Sequence, residues 1–407
     1  MKCGLLGRKL GHSYSPQIHA LLGNYSYQLF EKEPEEIGDF LKSGDFTGLN
    51  VTIPYKKEVI PFLDELSPAA ARLGAVNTIV RRDGKLIGHN TDYFGFRRLV
   101  QESGLQVAGK KVLVLGSGGA SSTAVAVLQE LGAKVTVISR SGENNYENLD
   151  RHADAAVIVN TTPVGMYPNT GKSALSLEGF PRLEGVLDAV YNPARTQILL
   201  DAEHRGLAAV NGLWMLVAQA KESAEWFTGE EIPDSRIAKI HHTLRLQMEN
   251  IILIGMPGCG KTAVGQQLAQ KLGKKFVDAD ESLEARVCRK ITDIIPNDGE
   301  AAFREMESET LAELGKQSGL VIATGGGCVT QPQNYPLLHQ NGTIFWLKRE
   351  LDKLPTDGRP LSQKGTLGQM YEARMPLYLR FADAAISNDG SIAETASAIC
   401  RKLEETT

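Results

Sequence analysis

Residues 255–262 constrain this chain more than any other stretch, because they spell G-x-x-x-x-G-K-T. The apolar run 251–254 precedes them and a helical pattern closed by Gly273 follows, so the order is strand, loop, helix. In that context the backbone N–H groups and the positive end of the helix converge on phosphate oxygens. The predicted nucleotide contacts are Gly258, Cys259, Gly260, Lys261 and Thr262. We therefore predict an ATP-binding domain with a doubly wound parallel sheet over residues 249–407.

Composition limits the kind of protein that can carry this loop. The 407 residues exceed one typical domain, and 42% apolar with 23% charged residues is ordinary for a soluble globular protein. No apolar run is long enough to cross a bilayer, and a net charge of −4 argues against a nucleic-acid partner. Five scattered cysteines lack metal-ligand spacing, and the chain start lacks a signal-peptide pattern. We expect a cytoplasmic protein with reduced thiols and no membrane partner, and nothing indicates an oligomer.

A second nucleotide motif lies in the first half of the chain. The buried strand pattern 111–115 leads into a glycine-rich turn, a helix and a second strand pattern, 134–138. This arrangement is typical of dinucleotide binding, and an arginine after the second strand favours NADP(H) over NAD(H), which would pair with a carboxylate there. The predicted cofactor contacts are Gly116, Gly118, Gly119, Ala120, Ser139 and Arg140.

Polar residues also recur at the ends of other predicted strands in this half. Ser13 and Ser15 precede a helix that we expect to start at Pro16, and Lys56 follows an apolar strand. Each has an ordinary alternative when taken alone: the serines can cap the helix, and an isolated lysine is usually a solvated surface charge. Asn77 and the Asn-Thr-Asp sequence at 90–92 extend the pattern. Ligands of open α/β sheets bind at such strand ends.

Taken together, the motifs of residues 1–245 resemble shikimate dehydrogenase. They are His-Ser-x-Ser-Pro, Asn-Val-Thr-x-Pro-x-Lys, Asn-Thr-Asp, the glycine-rich turn, Asn-Thr-Thr-Pro-x-Gly-Met at 160–166 and Gly-Leu-x-Met-Leu at 212–216. The resemblance implies a substrate domain over 1–95, completed by helices in 212–245, and a Rossmann-like NADP domain over 96–211. It implies that Lys56 and Asp92 are the catalytic pair. The implied substrate contacts are Ser13, Ser15, Thr52, Asn77, Asn90, Tyr191 and Gln219, and Thr161 and Gly212 join the cofactor contacts.

The residue types suit ketone reduction, and two positions depart from the family pattern. Hydride transfer builds negative charge on the carbonyl oxygen, which a lysine ammonium can stabilise and protonate while Asp92 holds it in place. Ala20 stands where the family has asparagine, and no second basic residue follows Arg140 within a few positions. The second departure concerns the strength of the NADP preference.

Beyond the phosphate loop, residues 275–280 predict a strand ending in two carboxylates on the same face, Asp278 and Asp280. Such close like charges are costly without a cation, so we predict Mg²⁺ held by Thr262 and Asp278. Asp280 is then free to accept a proton. Further on, Gly299-Glu300-x-x-Phe303-Arg304-x-x-Glu307 lies on a helix start, and residues 320–324 predict a strand ending in three glycines. A late helix carries Arg374-x-Pro376-x-Tyr378.

With the phosphate loop, these features resemble shikimate kinase over residues 249–405. The resemblance implies that Asp280 is the catalytic base, that Lys261 and the lid residue Arg359 act on the transferring phosphate, and that five residues grip the substrate. Those five are Arg304, Gly325, Gly326, Gly327 and Arg374. Arginine suits the grip because its planar fork can bond a carboxylate twice. Either Arg349 or Lys353 can replace another basic group that this family has near the lid.

The two resemblances predict a bifunctional enzyme, because the product of the first reaction is the substrate of the second. The first half would reduce 3-dehydroshikimate with NADPH, and the second would phosphorylate shikimate with ATP. Two alternatives stay open. The first half could be a sensing module that regulates the kinase, or a quinate/shikimate dehydrogenase that uses NAD.

Overall fold

The computed structural model describes residues 1–11, 13–354 and 367–405. Its contacts divide the chain into two compact units. The first comprises Met1–Val164, Ser173–Tyr191 and Ile198–Thr243, and the second comprises Gly165–Lys172, Asn192–Gln197 and Leu244–Thr407. In the described residues no helix is both long enough and apolar enough to cross a membrane.

The first unit opens with a six-stranded mixed sheet and its helices. Its elements are β1 Lys2–Gly7, α1 Ser15–Leu22, β2 Ser26–Glu31, α2 Ile37–Ser43, β3 Gly48–Val51, β4 Glu65–Leu66, α3 Pro68–Leu73, β5 Thr78–Arg82, β6 Lys85–His89 and α4 Asp92–Glu102. The strand order is β2-β1-β3-β5-β6-β4, with β1 parallel to both neighbours and β5 antiparallel to both of its neighbours. Helix α1 begins at Ser15, one residue before the predicted start.

A parallel five-stranded sheet follows in the same unit. Its elements are β7 Lys111–Leu115, α5 Gly119–Glu130, β8 Lys134–Ile138, β9 Val157–Asn160, β10 Gly185–Asp188, α6 Gln197–His204, β11 Ala208–Val210 and α7 Leu213–Thr228. Helix α8, Ser235–Met248, begins in this unit and ends in the second. The strand order is β11-β10-β9-β7-β8, so β8 lies on one side of β7 and the later strands are added on the other, and the order reverses between β7 and β9. In open α/β sheets a ligand binds outside the carboxyl ends of the strands at this kind of reversal.

Helices α4 and α7 cross closely because Gly95 has no side chain at their contact. A Cβ at Gly95 would lie 2.6 Å from the backbone oxygen of Met215, so only glycine allows this approach. The crossing brings the start of α4, with Thr91 and Asp92 at its first turn, next to the middle of α7. Sequence periodicity alone could not predict which helices meet at this site.

The second unit is built on another parallel five-stranded sheet. Its elements are β12 Asn250–Ile254, α9 Lys261–Leu272, β13 Lys275–Asp278, α10 Ala279–Val287, α11 Ile291–Gly315, β14 Leu320–Ala323, α12 Asn334–His339, β15 Gly342–Lys348, α13 Leu367–Phe381, β16 Ala384–Ser387 and α14 Ile392–Glu405. The strand order is β13-β14-β12-β15-β16, and all neighbours are parallel. Both faces are covered, so the central strand β12 is buried at every position. The predicted α/β fold class is confirmed.

In the second unit one sequence expectation needs adjustment, and the predicted helix start ahead of Arg304 is observed. The predicted strand 275–280 ends at Asp278, whose Oδ1 accepts the N–H groups of Asp280 and Glu281 and so caps α10. Asp280 therefore lies in the first turn of a helix and not on a strand face, because the cap bonds favour helix from residue 279. Gly299, with φ +89°, interrupts α11, and the helical segment that carries Arg304 begins after it.

Candidate active sites

In the first unit, the two residues predicted to act on the reacting carbonyl are paired. Lys56 lies in the turn after β3, and its Nζ is 2.6 Å from Oδ2 of Asp92, the first residue of α4. The side chains are 29% and 14% exposed, so the ammonium reaches solvent while its partner is largely covered. A lysine held this way has a fixed position and can still meet a ligand in the cleft.

Asn77 and Asn90 lie beside this pair, and internal bonds hold both amides. The Oδ1 atom of Asn77 accepts the backbone N–H of Thr91 at 2.7 Å, and its Nδ2 donates to the Thr91 hydroxyl at 3.0 Å. Asn90 donates its Nδ2 to the backbone oxygen of Ala75, and its buried Oδ1 has no hydrogen-bond partner among the described residues. Each amide therefore keeps capacity for a polar ligand.

The predicted serines and Tyr191 meet at the start of α1. The Ser13 hydroxyl accepts the backbone N–H of Ser15 at 3.2 Å, and between them Tyr14 packs edge-on against the ring of Tyr191, with centroids 6.1 Å apart. Burial raises the pKa of Tyr191, so its hydroxyl stays protonated at neutral pH. Thr52 follows β3, and its methyl group lies 2.8 Å from the position that a Cβ on Gly7, at the end of β1, would occupy.

Helix α7 supplies the remaining predicted substrate residue of this unit. Gly212 precedes the helix and packs against the backbone of Ala189, where a side chain would clash. About two turns later, Gln219 donates Nε2 to the backbone oxygen of Leu216, and its Oε1 lies 3.5 Å from the Thr91 hydroxyl. Gln219 therefore faces the start of α4, where Asp92 lies.

The glycine-rich turn lies at the strand reversal between β7 and β9. Gly116 has φ +110°, and a Cβ there would lie 3.0 Å from the Thr161 hydroxyl at the end of β9. Space beside Gly118 and Gly119 is open, and α5 begins at Gly119 with Ala120 in its first turn. The N–H groups at a helix start and an open glycine surface suit a pyrophosphate group.

The residues predicted to favour NADP(H) over NAD(H) follow β8, the neighbour of β7. The backbone N–H of Gly116 donates to the oxygen of Ile138 at 2.8 Å, which ties the glycine turn to the end of β8. Ser139 comes next, and Arg140 is exposed beyond it. A guanidinium at this place can pair with a phosphate on the adenosine ribose.

In the second unit, the phosphate loop has the backbone that its glycines require. Gly258 and Gly260 have φ of +83° and +97°, and α9 begins at Lys261. The Lys261 ammonium donates to the backbone oxygens of Gly255 and Met256, at 2.9 and 3.1 Å, which leaves one of its hydrogens for a phosphate oxygen. Cys259 is fully buried and donates its N–H to Met256, so it contributes to the shape of the loop.

Two oxygen donors for a hard cation meet at the start of α9. The Thr262 hydroxyl donates to Oδ2 of Asp278 at 3.0 Å. A hydroxyl and a carboxylate at this separation, beside a phosphate loop, fit Mg²⁺, which prefers oxygen ligands and keeps several waters. No group of three or more His, Cys, Asp or Glu side chains suited to a metal occurs in the described ranges, so a cation here would complete its shell with water and phosphate oxygens.

Asp280 is a strongly perturbed carboxylate in this cleft. Its pKa is raised to about 6, mainly by burial and then by the nearby carboxylates of Glu307 and Asp278, against the lowering effect of the cations Lys261 and Arg304. A carboxylate with a pKa near the working pH is suited to accept a proton. Perturbation by burial and like charge in a cleft is typical of functional sites.

Arg304 is buried, and an acidic partner sets its orientation. Its Nη1 is 2.7 Å from Oε2 of Glu307 and its Nη2 is 3.1 Å from Glu300, with the Arg304 and Glu307 side chains 7% and 3% exposed. A Cβ at Gly325 would lie 2.5 Å from Oε1 of Glu307 and 2.8 Å from Oδ1 of Asp280. The glycines after β14 therefore let the backbone approach these charged groups directly.

Arg374 and Tyr378 of α13 hold the middle glycine of that turn. Arg374 donates Nη1 to the backbone oxygen of Gly326 at 3.2 Å, and the Tyr378 hydroxyl donates to the same oxygen at 2.5 Å. Gly327 lies against the guanidinium of Arg304, and Gly326 lies against Pro257 of the phosphate loop. The phosphate loop, Asp280, Arg304, the three glycines and Arg374 thus line one cleft of about 600 Å³.

Three residues that hold these groups were not assigned to the site from the sequence. Glu307 orients Arg304, Tyr378 anchors Gly326, and Asn388 donates Nδ2 to the backbone oxygen of Cys259 at 2.6 Å. Glu307 lies one helical turn after Arg304, so its i, i+3 spacing was a usable signal. Asn388 lies 129 residues from the loop that it supports, and its sequence surroundings carry no such signal.

Some predicted lid residues can be placed and one cannot. Arg359 lies outside the described residues. Of the two basic residues considered nearby, Arg349 has Nη1 3.9 Å from the position that a Cβ on Gly260 would occupy, and Lys353 pairs with Glu350 at 2.7 Å. Arg349 is therefore the one beside the phosphate loop.

Comparison with known proteins identifies the larger part of the chain. A relative from Clostridium perfringens (strain SM101 / Type A), named shikimate dehydrogenase (NADP(+)), is 37% identical over 264 residues, which cover 60% of this chain and 97% of that protein. The chain belongs to the shikimate dehydrogenase family. The model of the shikimate dehydrogenase substrate binding domain matches residues 5–79.

Solved shikimate dehydrogenases share the fold of this part. Shikimate dehydrogenase 1 from Peptoclostridium difficile is 38% identical with a TM-score of 0.55, and covers 60% of this chain and 98% of its own. Shikimate 5-dehydrogenase from Thermus thermophilus, solved with NADP(H) and shikimate, is 30% identical with a TM-score of 0.54, over 60% of this chain and 99% of its own. The family model described as shikimate kinase matches residues 257–404. The chain therefore joins a shikimate dehydrogenase to a shikimate kinase domain, as its motifs predicted.

Proposed function

We propose that this enzyme reduces 3-dehydroshikimate to shikimate with NADPH and then phosphorylates the 3-hydroxyl of shikimate with ATP. The observation that carries the proposal is that each unit holds the groups that its reaction needs. The first has the Lys56–Asp92 pair and a dinucleotide turn in the same compact unit. The second has a phosphate loop and a buried base and arginine in one cleft.

In the dehydrogenase reaction, bound NADPH would supply the hydride for the carbonyl carbon, and Lys56 gives a proton to the oxygen. Asp92, 2.6 Å from the ammonium, keeps the lysine in place before transfer and balances its charge. We assign Ser13, Ser15, Thr52, Asn77, Asn90, Tyr191 and Gln219 to the hydroxyl and carboxylate groups of the substrate. General acid catalysis combined with oxyanion stabilisation suits this arrangement.

The same unit offers a site for NADP(H). The open glycine surface at Gly116, Gly118 and Gly119 and the start of α5 at Ala120 would hold the pyrophosphate. Ser139 and Arg140 would bind the ribose phosphate, and Thr161 and Gly212 would line the nicotinamide side. The names of the relatives, which specify NADP(+), support this choice over NAD.

In the kinase reaction, Asp280 accepts the proton of the attacking hydroxyl, and Lys261 offsets charge on the transferring phosphate. Arg304, Arg374 and the backbone of 325–327 hold the acid substrate in line with the phosphate loop. Mg²⁺ would be held by Thr262 and Asp278 and would supply charge neutralisation between the phosphates. Phosphoryl transfer needs little more from a protein than this positioning and charge neutralisation. We assign Arg359 to the closing lid on the motif alone.

The domain boundaries are part of the proposal. We propose a substrate domain over 1–95 completed by helices in 212–245, an NADP domain over 96–211 and a kinase domain over 249–407. The partners would be small molecules and not nucleic acid or membrane. The five cysteines carry free thiols, which supports a reducing, cytoplasmic location.

The direct test of the function is a single incubation of purified protein with 3-dehydroshikimate, NADPH and MgATP, followed by mass spectrometry. We expect shikimate 3-phosphate, which disappears when either cosubstrate is omitted. Replacing NADPH by NADH, and shikimate by quinate in the reverse reaction, should lower the dehydrogenase rate. Equal rates with NADH and quinate would favour the NAD-dependent alternative, and a first unit without turnover would favour the sensing module.

The proposed base predicts the pH dependence of phosphorylation. Because Asp280 has a raised pKa of about 6, it is ionised above that pH and protonated below it, and only the ionised form can accept a proton. We expect kcat/KM for shikimate to fall about tenfold for each pH unit below a midpoint near pH 6. Initial rates between about pH 5 and 8 measure this, with the dehydrogenase reaction of the same protein as the control for acid damage. A flat profile down to about pH 5, or an unchanged acid limb in Asp280→Asn, would assign the proton transfer to another group.

A further inference from the structure

We propose that Ser223 is a positioning residue of the dehydrogenase site: its buried hydroxyl orients Thr91 and, through it, the Asn77 amide that meets the substrate. Ser223 lies on α7, one turn after Gln219, and is fully buried, so it cannot itself reach a ligand in the cleft. The inference rests on the dehydrogenase function proposed above, because it explains how that site keeps its geometry.

The Ser223 hydroxyl joins groups from four separate elements. It lies 2.8 Å from Asn50 Nδ2 on β3, 2.8 Å from the Thr78 hydroxyl on β5 and 2.9 Å from the Thr91 hydroxyl before α4. It also lies 2.9 Å from the backbone oxygen of Gln219 on its own helix. A buried hydroxyl with this many polar neighbours is costly to remove, because each neighbour then loses a partner.

Donor and acceptor chemistry fixes the direction of two hydrogen bonds of Ser223. The carbonyl of Gln219 can only accept, so the single hydrogen of Ser223 is donated to it. The Asn50 amide can only donate from Nδ2, and its orientation is fixed because the Tyr27 hydroxyl donates to its Oδ1 at 2.7 Å. Ser223 therefore accepts from Asn50 and keeps one lone pair for a second donor.

Thr91 is the second donor that the arrangement supports. Its hydroxyl already accepts the Nδ2 of Asn77 at 3.0 Å, and Ser223 is an acceptor 2.9 Å away. Thr78, 2.8 Å from Ser223, is the competing donor, but its hydroxyl also has an acceptor in Oδ1 of Asn77 at 3.2 Å, and we assign its hydrogen to that oxygen. The result is a chain of donors that runs from Asn77 through Thr91 and Ser223 to the Gln219 carbonyl.

The backbone N–H of Thr91 and this chain of hydrogen bonds together determine how Asn77 faces the cleft. The backbone N–H of Thr91 can only donate, so it must meet Oδ1 of Asn77, which it does at 2.7 Å. The Nδ2 group then has one hydrogen committed to Thr91 and one left for a hydroxyl of the substrate. Without the acceptor at Ser223, the Thr91 hydroxyl can turn its hydrogen toward Asn77 Oδ1, 3.2 Å away, and compete at that oxygen.

This chain of hydrogen bonds also connects to the catalytic pair. Thr91 is the residue before Asp92, and its hydroxyl lies 3.5 Å from Oε1 of Gln219. Thr78 and Thr91 are both fully buried, and Asn77 is 3% exposed, so water cannot easily replace a lost partner. A substitution at Ser223 should therefore change the kinetics for the substrate and not the binding of the cofactor.

The first test is Ser223→Ala, compared with Thr228→Ala on the same helix. The Thr228 hydroxyl also donates to a backbone oxygen one turn back, that of Ala224 at 2.9 Å, and lies outside the cluster around Ser223. For Ser223→Ala we expect kcat/KM for shikimate to fall about tenfold, with the KM for NADP⁺ within about twofold of the parent. For Thr228→Ala we expect parental kinetics. Melting temperatures of both variants show whether a general loss of stability could explain the difference.

A double-mutant cycle with Thr91→Val tests whether the two hydroxyls act in one chain. Thr91→Val keeps the shape of the side chain and removes the hydroxyl, so it breaks the next link. We expect each single variant and the double variant to lose about the same factor in kcat/KM, because either change alone already disturbs the hydrogen bond between Asn77 Nδ2 and the Thr91 hydroxyl. Losses that multiply, or a Ser223→Ala enzyme within about twofold of the parent, would overturn the proposal.

Failure of this inference can be told apart from failure of the proposed function. The parent protein is assayed first for oxidation of shikimate by NADP⁺. If the parent turns over and Ser223→Ala matches it, Ser223 is only a packing residue and the function stands. If Ser223→Ala lowers kcat/KM for shikimate and raises the KM for NADP⁺ by the same factor, the effect is a general distortion and the positioning role is wrong.

Discussion

Replacing Lys56 with alanine is expected to lower dehydrogenase turnover by about 10²–10⁴-fold, the usual contribution of a general acid. The lysine pairs with Asp92, and its removal leaves the forming oxyanion without its proposed proton donor and without that positive charge. Stopped-flow or steady-state absorbance of NADPH at saturating 3-dehydroshikimate measures the change. The effect should lie mainly in turnover, because the substrate hydroxyls keep their other contacts.

Two controls make the Lys56 result specific. Lys57 is the next residue and is exposed, so Lys57→Ala removes the same charge from the same turn and should leave turnover within about twofold. Phosphorylation of shikimate by the Lys56→Ala protein should proceed at the parental rate, which shows that the second unit is intact. An unchanged turnover in Lys56→Ala would mean that another group, or water, donates the proton.

Replacing Arg304 with alanine is expected to raise the KM for shikimate in the kinase reaction by about 10²-fold, with the KM for ATP within about twofold. Charge-assisted bonds from a buried guanidinium to a carboxylate are worth about 1.5–3 kcal/mol, and their loss affects the acid substrate and not the nucleotide. Glu307, which is 2.7 Å from Arg304, would lose its partner and face the substrate carboxylate. Coupled assays at varied shikimate and ATP concentrations separate the two KM values.

Two further variants serve as comparisons for Arg304→Ala. Arg304→Lys keeps the charge but loses the planar fork, so its KM should lie between those of the parent and the alanine variant. Arg286→Ala removes an exposed arginine that pairs with Glu309 on the adjoining helix, and its kinetics should be parental. Breaking the buried pair with Glu307 should also lower the stability of the second unit, so substrate affinity is compared at a temperature where both variants remain folded. An unchanged KM for shikimate in Arg304→Ala would remove this residue from the proposed grip.

The chain shows which kinds of site a sequence can reveal. The phosphate loop and the glycine turn after β7 are local: strand, turn and helix follow one another directly along the chain, and their glycines are needed where φ is positive or where backbone approaches closely. A contiguous motif therefore contains most of the residues and backbone requirements that form its own site. The pairing of Lys56 with Asp92 needed the family resemblance as well, because 36 residues separate them.

The strand prediction needed adjustment where local hydrogen bonding of a side chain competed with the strand pattern of the sequence. The sequence of residues 275–280 predicts a strand, but the Asp278 side chain caps the next helix, which begins at residue 279. Asp280 is consequently presented from the first turn of α10, where burial and Glu307 raise its pKa. A side chain that bonds its own backbone can end a strand earlier than its hydrophobic pattern indicates.

The sequence alone determined the α/β class, the two nucleotide-binding turns and the types of residue that carry each reaction, because these depend on short-range spacing and on side-chain chemistry. Only the tertiary structure decided which distant side chains support them. Ser223 meets Asn50 across 173 residues, and Asn388 meets Cys259 across 129, because helix crossings and sheet order bring them together. Burial then makes those contacts matter, since a polar group away from water depends on the partner that the fold provides.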